Sequence, residues 1–285
     1  MRRIIILLVV ALIPSAMSAQ QTFVHPWQGA RVAFFGDSIT DSRVVPKNPN
    51  PGPKDHDWTG VADSHYWGFL QEWLGIHPFV YGVNGRQWDD IPDQARRLKE
   101  EHGDGFDAIT IFMGTNDFID DIPIGEWYDT ELTTVTKALS YPANDFLLVR
   151  RTPAMDGSTL KGRINIAVST LKKMFPEKQI VILTPIHRAY ATFGSGNIQP
   201  DESYPNRLGL YIHDYVEAIK ETANVWSIPV IDLNALCGLN PMLEEHVRYF
   251  ADPVTDRLHP NAKGHERIAR TLMYQLQALP CRLSD

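Results

Sequence analysis

Five short apolar segments, each followed by a glycine or a turn residue, constrain the fold of this chain more than any other feature. They occupy residues 31–35, 78–81, 106–113, 179–183 and 228–231. Short apolar runs of this kind are typical of strands buried on both faces of a parallel sheet. Segments with helical spacing of apolar residues lie between them, at residues 63–75, 89–102, 164–175, 208–219 and 268–276. The alternation predicts an α/β fold, with helices covering both faces of a five-stranded parallel sheet.

The same alternation predicts where a ligand would bind. In open parallel sheets, ligands bind beyond the carboxyl ends of the strands. Two segments outside the regular alternation, residues 41–62 and 117–159, each follow a strand end. We interpret both as loop insertions over that edge, within a single domain spanning residues 19–285, because long loops in compact domains are usually functional.

The first 18 residues have the pattern of a signal peptide. Arg2 and Arg3 precede an unbroken apolar run, and Ala16 and Ser18 form a small-x-small cleavage pattern. A membrane anchor is the alternative, but the apolar run is only about half of the ~20 residues that a spanning helix needs. The sequence therefore predicts an exported protein, periplasmic or secreted, with no membrane span in its mature form.

Charge and cysteine content narrow the function further. The formal net charge of −7 is unlike the basic surface typical of nucleic-acid binding, so no nucleic-acid partner is expected. The histidines show no paired ligand spacing, and no metal site is expected.

After export, Cys237 and Cys281 would face an oxidising compartment. A disulfide between them is slightly favoured over the alternative of two unpaired, buried thiols.

Residues with catalytic potential follow the first predicted strand and precede the last predicted helix. Ser38 closes the motif Gly36-Asp37-Ser38, directly after the first strand. Asp256 and His259 lie three residues apart in the loop before the last helix. In a turn, Asp256 could accept the Nδ1 proton of His259 and leave Nε2 free to act as a base on the serine. Helix capping is the alternative role for all three residues.

Two glycine-containing turns follow the second and third predicted strands. The first is Gly82-Val83-Asn84-Gly85, and the second is Gly114-Thr115-Asn116-Asp117. Glycine lets backbone amides approach a ligand closely, and an asparagine side chain supplies a neutral donor. Together these groups could hold the oxyanion of a tetrahedral intermediate. The alternative is that each is an ordinary turn between a strand and a helix.

These four blocks, taken in order, resemble the SGNH (GDSL) hydrolase family of exported bacterial esterases and acylhydrolases. The resemblance spans residues 31–265 and includes Asp256-x-x-His259-Pro260 as its last block. It implies a flavodoxin-like three-layer α/β/α sandwich with strand order 2-1-3-4-5. It also implies a triad of Ser38, His259 and Asp256, and an oxyanion hole formed by the backbone N–H groups of Ser38 and Gly85 and the side chain of Asn116. The implied mechanism requires neither a metal nor an organic cofactor.

The resemblance further implies a serine esterase that forms an acyl-enzyme. By analogy with exported members of the family, we expect hydrolysis of O-acyl esters, mainly O-acetyl esters on carbohydrates, with small-molecule or polysaccharide esters as partners. A lipase, lysophospholipase or thioesterase acting on longer acyl chains is the enzymatic alternative. A catalytically silent carbohydrate-binding protein is the non-enzymatic one. Candidate substrate contacts are Arg86, Trp88, His187 and Arg188, which lie beside or after predicted strand ends. The sequence alone sets no oligomeric state.

Overall fold

The apolar segments form the central sheet of the protein in the computed structural model, which describes residues 24–44, 64–136 and 145–283. The predicted signal peptide and residues 45–62 of the first predicted insertion lie outside the described residues. In chain order, the elements are β1 (Arg31–Gly36), α1 (Tyr66–Leu74), β2 (His77–Val80), α2 (Ile91–His102), β3 (Ala108–Phe112), α3 (Thr115–Ile119), β4 (Tyr128–Thr136), β5 (Asp145–Pro153), α4 (Leu160–Met174), β6 (Gln179–Leu183), β7 (Ala191–Thr192), β8 (Ile198–Gln199), α5 (Ile212–Trp226), β9 (Val230–Ile231), α6 (Leu233–Leu236), β10 (Phe250–Asp252), β11 (Asp256–Pro260) and α7 (Ala262–Leu276). Short 3₁₀ helices occupy Trp88–Asp90 and Glu244–Tyr249.

The central sheet has the order β2-β1-β3-β6-β9, and each neighbouring pair is parallel. Counted along the chain, these five strands have the order 2-1-3-4-5, which confirms the predicted fold class. The three middle strands end in register, because Gly36 lies opposite Phe112 and Phe112 lies opposite Leu183. Their carboxyl ends therefore share one edge, and the segments that follow them are brought together there.

Two apolar cores, one on each face of the sheet, produce the three-layer sandwich. Side chains alternate along β1, so that Ala33 and Phe35 enter one core and Val32 and Phe34 enter the other. The first core is covered by α2, α4 and α5, and the second by α1 and α7. Each large apolar side chain removed from water stabilises the fold by about 1.5–3 kcal/mol, so burial on both faces of the sheet holds its strands in place.

Two further β structures were not predicted. An antiparallel sheet has the order β10-β11-β7-β8, and its strand β11 spans the Asp256–Pro260 segment that the sequence analysis predicts to be a loop. That prediction is wrong because β11 is defined by tertiary pairing, and its neighbours of two and three residues are too short for a periodic signal. Within residues 117–159, β4 and β5 pair with each other as an antiparallel ribbon.

The slight preference for a disulfide is also wrong. Cys237 and Cys281 are both free thiols. Cys237 is buried in the core beneath α7, and Cys281 packs against the same core. An unbonded cysteine behaves as a small apolar side chain, which accounts for both positions. Burial raises the pKa of the Cys237 thiol to about 11, so this group stays protonated near neutral pH.

Candidate active site

Ser38, His259 and Asp256 form one hydrogen-bonded chain at the carboxyl edge of the central sheet. The Ser38 hydroxyl oxygen lies 2.9 Å from Nε2 of His259. The other ring nitrogen, Nδ1, lies 3.0 Å from Oδ2 of Asp256. These distances place a base within reach of the serine proton and a carboxylate within reach of the base. Such a chain can activate a serine as a nucleophile.

A tight turn after β1 holds Ser38. The carbonyl oxygen of Asp37 accepts hydrogen bonds from the N–H groups of Thr40 and Asp41, at 3.1 and 2.9 Å. Oδ1 of the Asp37 side chain accepts a further bond from the Ile39 N–H at 3.0 Å. The backbone around the serine is therefore fixed from both sides, and its hydroxyl is left for His259.

The side chain of Gln94, on α2, binds the backbone of Gly36, the residue at which this turn begins. Its side chain accepts a hydrogen bond from the Gly36 N–H and donates one to the Gly36 carbonyl, both at 3.0 Å. A Cβ at position 36 would collide with the side chain of Thr40 and would lie 2.7 Å from the Phe112 carbonyl oxygen. Only glycine fits where β1, β3 and the turn meet.

Strand β11 supplies the base and its carboxylate. Oδ1 of Asp256 accepts hydrogen bonds from the N–H groups of Leu258 and His259, at 3.2 and 3.0 Å. Burial acts to raise the pKa of Asp256, but the hydrogen bonds and charge of His259 outweigh it and hold that pKa below its usual value. The side chain that caps α7 is Asn261, so helix capping does not explain Asp256 or His259.

Gly85 lies in the same cavity as Ser38. It has a φ of 76°, a conformation that favours glycine. The turn is anchored one residue earlier, where the Asn84 N–H donates to Oδ2 of Asp41 at 2.9 Å. Gly82 does not line this cavity; it is buried against Thr40. The structure therefore brings Gly85, and not Gly82, to Ser38.

Asn116, in the first turn of α3, also lines this cavity. Its side-chain amide donates one hydrogen to the carbonyl oxygen of Arg86 at 2.9 Å, which fixes the orientation of the amide. An amide group has two hydrogens, so the second is left for an oxyanion. Ser38, Gly85 and Asn116 thus line one cavity, and their role as an oxyanion hole stays a prediction.

The cavity that contains these groups has a volume of about 400 Å³. Four carboxamide side chains line it, from Asn84, Asn116, Asn197 and Gln199. Its apolar wall includes Phe193, whose ring makes an edge contact with the His259 ring at a centroid distance of 5.4 Å. The sequence analysis missed Phe193, Asn197 and Gln199, because they belong to the short β7–β8 hairpin. The signal that could have identified them is that this segment continues from a predicted strand end.

Two of the four candidate substrate contacts are wrong. Trp88 is fully buried in the first core, because the 3₁₀ helix after β2 turns its side chain inward. Arg188 is fully buried as well. Arg86 is exposed but does not line the Ser38 cavity; its side chain lies 3.8 Å from Asp90.

His187 lines a second cavity, away from Ser38. Its Nδ1 lies 2.7 Å from Oε1 of Glu202, and this hydrogen bond raises the pKa of the imidazole. His213 and Asp214 line the same cavity. Within the described ranges, however, no group of three or more His, Cys, Asp or Glu side chains is placed to hold a metal ion.

The buried side chain of Arg188 connects two elements beside the Ser38 cavity, α3 and β8. Its guanidinium donates to Oγ1 of Thr115 at 3.1 Å, at the start of α3, and to Oε1 of Gln199 on β8. Burial lowers the pKa of Arg188 to about 10, so the guanidinium keeps its charge near neutral pH. The residue therefore couples the helix that carries Asn116 to the hairpin that lines the cavity.

Asp37 provides a test of how burial acts on this turn. Burial raises the pKa of its carboxyl to about 6, against the opposing effects of the Ile39 N–H and the charges of His259 and Arg188. In the unfolded chain, the group would lose its proton near pH 4. Between pH 4 and pH 7 the unfolded state therefore releases a proton more readily, and Asp37 lowers the free energy of unfolding as the pH rises.

Asp37→Asn is expected to abolish the decrease in the free energy of unfolding that Asp37 causes as the pH rises. In urea unfolding, the difference in the free energy of unfolding between the variant and the parent protein should be about 2 kcal/mol more in favour of the variant at pH 7 than at pH 4. Asp41→Asn is the matched control, because the pKa of Asp41 is lowered by Arg43 and its contribution has the opposite sign. An equal difference between Asp37→Asn and the parent at both pH values would contradict the raised pKa.

Comparisons with known proteins agree with this architecture. The model of the GDSL-like lipase/acylhydrolase family matches residues 34–267. A solved protein from Lactobacillus plantarum is 22% identical, with a TM-score of 0.63, over 88% of this chain and 98% of that one. A possible lipase from Chitinophaga pinensis is 21% identical, with a TM-score of 0.61, over 90% of this chain and 100% of that one. An acetylxylan esterase from Geobacillus stearothermophilus is 21% identical, with a TM-score of 0.48, over 87% and 94% of the two chains. No curated protein sequence matches significantly.

Proposed function

Because the chain belongs to the GDSL-like lipase/acylhydrolase family and is a carboxylic ester hydrolase, we propose that it hydrolyses short O-acyl esters, mainly O-acetyl esters on carbohydrates. The observation that carries the proposal is the 2.9 Å contact between Ser38 and His259 in a cavity lined by four carboxamide side chains.

In the proposed mechanism, Ser38 attacks the ester carbonyl while Nε2 of His259 takes its proton. The carbonyl oxygen becomes an oxyanion, which accepts hydrogen bonds from the Ser38 and Gly85 N–H groups and from the Asn116 side chain. His259 then returns the proton to the leaving alcohol. A water molecule, deprotonated by His259, attacks the acyl-enzyme and releases the acid and the free serine.

The lining of the cavity supports a polar alcohol and a short acyl group. Carboxamides can both donate to and accept from sugar hydroxyls, and they bind them without a charge. The apolar wall is short, with Val44, Phe193 and Leu258 among its members. A long acyl chain would require an extended apolar channel; among the described residues, the other apolar residues lining the cavity are Ile39, Ala251 and Pro260.

Export is part of the proposal, because the predicted signal peptide would deliver the enzyme to extracellular acetylated polymers. In the described parts of the chain, no helix is long and apolar enough to cross a membrane.

We expect kcat/KM to show no gain as the acyl chain of p-nitrophenyl esters lengthens from acetate to decanoate. The physical reason is that each added methylene would leave the short apolar wall and gain no burial. Release of acetate from acetylated polysaccharides, measured against their deacetylated forms, tests the carbohydrate half of the proposal. A clear preference for decanoate, together with no acetate released from any polymer, would assign the enzyme to long-chain esters instead.

A further inference from the structure

His265, on α7, is a buried polar residue at the Ser38 cavity that takes no part in the proposed mechanism. The residue is only 3% exposed, yet it lines the cavity. The same cavity is lined by a set of apolar residues, Ile39, Val44, Ala251 and Pro260 among them. A buried imidazole costs free energy unless its ring nitrogens find partners, so the contacts of each nitrogen indicate what His265 does there.

One ring nitrogen of His265 caps α1. The backbone N–H of Tyr66, the first residue of that helix, donates to Nδ1 of His265 at 3.2 Å. The first N–H groups of a helix have no acceptor within the helix, and this contact satisfies one of them. Because Nδ1 accepts a hydrogen bond, the proton of the neutral ring must lie on Nε2.

The imidazole of His265 is held neutral and in a fixed orientation. Burial, together with the charges of His65 and His259, holds the pKa of His265 well below its usual value. The ring stacks parallel to the ring of Tyr66 at a centroid distance of 6.0 Å. The Tyr66 hydroxyl lies in turn 3.0 Å from Oγ1 of Thr40. The N–H group at Nε2 is therefore a neutral donor whose direction is set before any ligand binds.

Helix capping accounts for Nδ1 of His265 but not for Nε2. Within residues 24–44, 64–136 and 145–283, Nε2 has no hydrogen-bond partner, and it is not among the fully enclosed side-chain atoms that lack one. The atom therefore keeps accessible surface. Because His265 lines the Ser38 cavity, we infer that this surface faces the cavity.

The position of His265 indicates which part of an ester it meets. Helix α7 covers the second core, whereas α3, which carries Asn116, places Phe118 in the first core. His265 and Asn116 therefore approach Ser38 from opposite faces of the sheet. His259 lies close enough for its charge to act on His265. In the proposed mechanism His259 protonates the leaving alcohol, so the alcohol part of the ester lies on this side of the cavity.

We propose that His265 is a substrate-binding residue, which donates from Nε2 to a hydroxyl, ring or glycosidic oxygen in the alcohol part of the ester. The inference rests on the proposed function, because a sugar supplies such acceptors and an alkyl alcohol does not. An alkyl alcohol would displace water from this N–H and offer it no acceptor. A site with a buried donor discriminates in this way against analogues that lack the matching oxygen.

His265→Asn separates the contributions of the two ring nitrogens. The asparagine oxygen lies near the position of Nδ1 and can accept from the Tyr66 N–H, whereas no group remains at the position of Nε2. The matched control is His246→Asn. Nδ1 of His246 also accepts a backbone N–H, that of Asn240 at 3.1 Å, but His246 does not line the Ser38 cavity. Circular dichroism and urea unfolding establish that both variants are folded.

The two test substrates are methyl glucoside acetylated on its primary hydroxyl and cyclohexylmethyl acetate. Both carry a primary acetate on a six-membered ring, but the second lacks the ring and hydroxyl oxygens. The parent and His246→Asn should favour the glucoside. In His265→Asn, kcat/KM for the glucoside should fall about tenfold, as expected for the loss of one hydrogen bond, while kcat/KM for cyclohexylmethyl acetate stays within about a factor of two.

A second measurement needs no variant. In the parent, the ¹⁵N resonance of Nε2 of His265 should shift when methyl glucoside is added and should not shift with cyclohexylmethanol. The absence of a shift at methyl glucoside concentrations that inhibit the enzyme would overturn the proposal. An equal loss on both esters in His265→Asn would also overturn it, because His265 would then be a structural residue.

The remaining outcomes separate this proposal from the proposed function. If the parent favours the glucoside and His265→Asn keeps the same preference, His265 does not bind the alcohol, and the proposed function stands without it. If the parent itself does not favour the glucoside, the carbohydrate half of the proposed function is wrong, and the role of His265 is wrong with it.

Discussion

Ser38→Ala is expected to lower kcat/KM for p-nitrophenyl acetate by roughly 10⁴- to 10⁶-fold, the loss typical of removing a serine nucleophile. Alanine leaves the turn after β1 intact, because the hydrogen bonds that fix it come from Asp37 and Gln94 and none needs the Ser38 hydroxyl. What the variant lacks is the atom that would form the acyl-enzyme. A small residual rate should remain, since the N–H groups of residues 38 and 85 and the Asn116 amide can still bind an oxyanion.

The control for this loss is Ser203→Ala, which changes an exposed serine of the same type and should keep the parent rate. Phenylmethylsulfonyl fluoride gives a second readout that does not depend on the assay ester. It should add one sulfonyl group to the parent and to Ser203→Ala, and none to Ser38→Ala. If Ser38→Ala hydrolysed the ester within a factor of two of the parent, another residue would have to be the nucleophile.

The parts of this site that the sequence predicts are those set by buried strands. Ser38 and Asn116 follow β1 and β3, two strands whose apolar residues can be read directly as strands buried on both faces. Because parallel strands end at a common edge, the sequence positions of these residues determine that they come close in space. The same argument holds for Gly85, which follows the neighbouring strand β2.

The features of the site that the sequence does not predict depend on tertiary contacts or on the direction in which a short 3₁₀ helix turns a side chain. Gln199 reaches the cavity from a strand of two residues, too short to give a pattern. Trp88 follows a strand end, as a substrate contact would, yet a 3₁₀ helix directs it into the core, and no local signal distinguishes the two outcomes. Arg188 was predicted to reach the substrate because it follows the end of the fourth predicted strand. It is buried with Thr115 and Gln199 both accepting hydrogen bonds from it, and Thr115 lies 73 residues away in the sequence.

Asp256→Asn should lower kcat by about 10³- to 10⁴-fold while leaving the free energy of unfolding within about 1 kcal/mol of the parent. Oδ1 of Asp256 is already fixed by the N–H groups of Leu258 and His259, and an asparagine oxygen can accept both bonds. The asparagine nitrogen would then occupy the place of Oδ2, 3.0 Å from Nδ1 of His259. Because that nitrogen is a donor, it favours the tautomer in which Nδ1 accepts and Nε2 carries the proton.

In this tautomer, Nε2 cannot take the proton of Ser38, so the base is lost even though every heavy atom stays in place. Asp252→Asn is the matched control, because Asp252 lies opposite Asp256 across β10 and β11 and its Oδ1 accepts hydrogen bonds from the N–H groups of Val254 and Thr255, which an asparagine oxygen can also accept. The control should retain nearly the full rate. The discriminating measurement is the rate of acylation in a single turnover, followed by stopped flow. If Asp256→Asn acylated as fast as the parent, the tautomer of His259 would have to be set by a group other than Asp256.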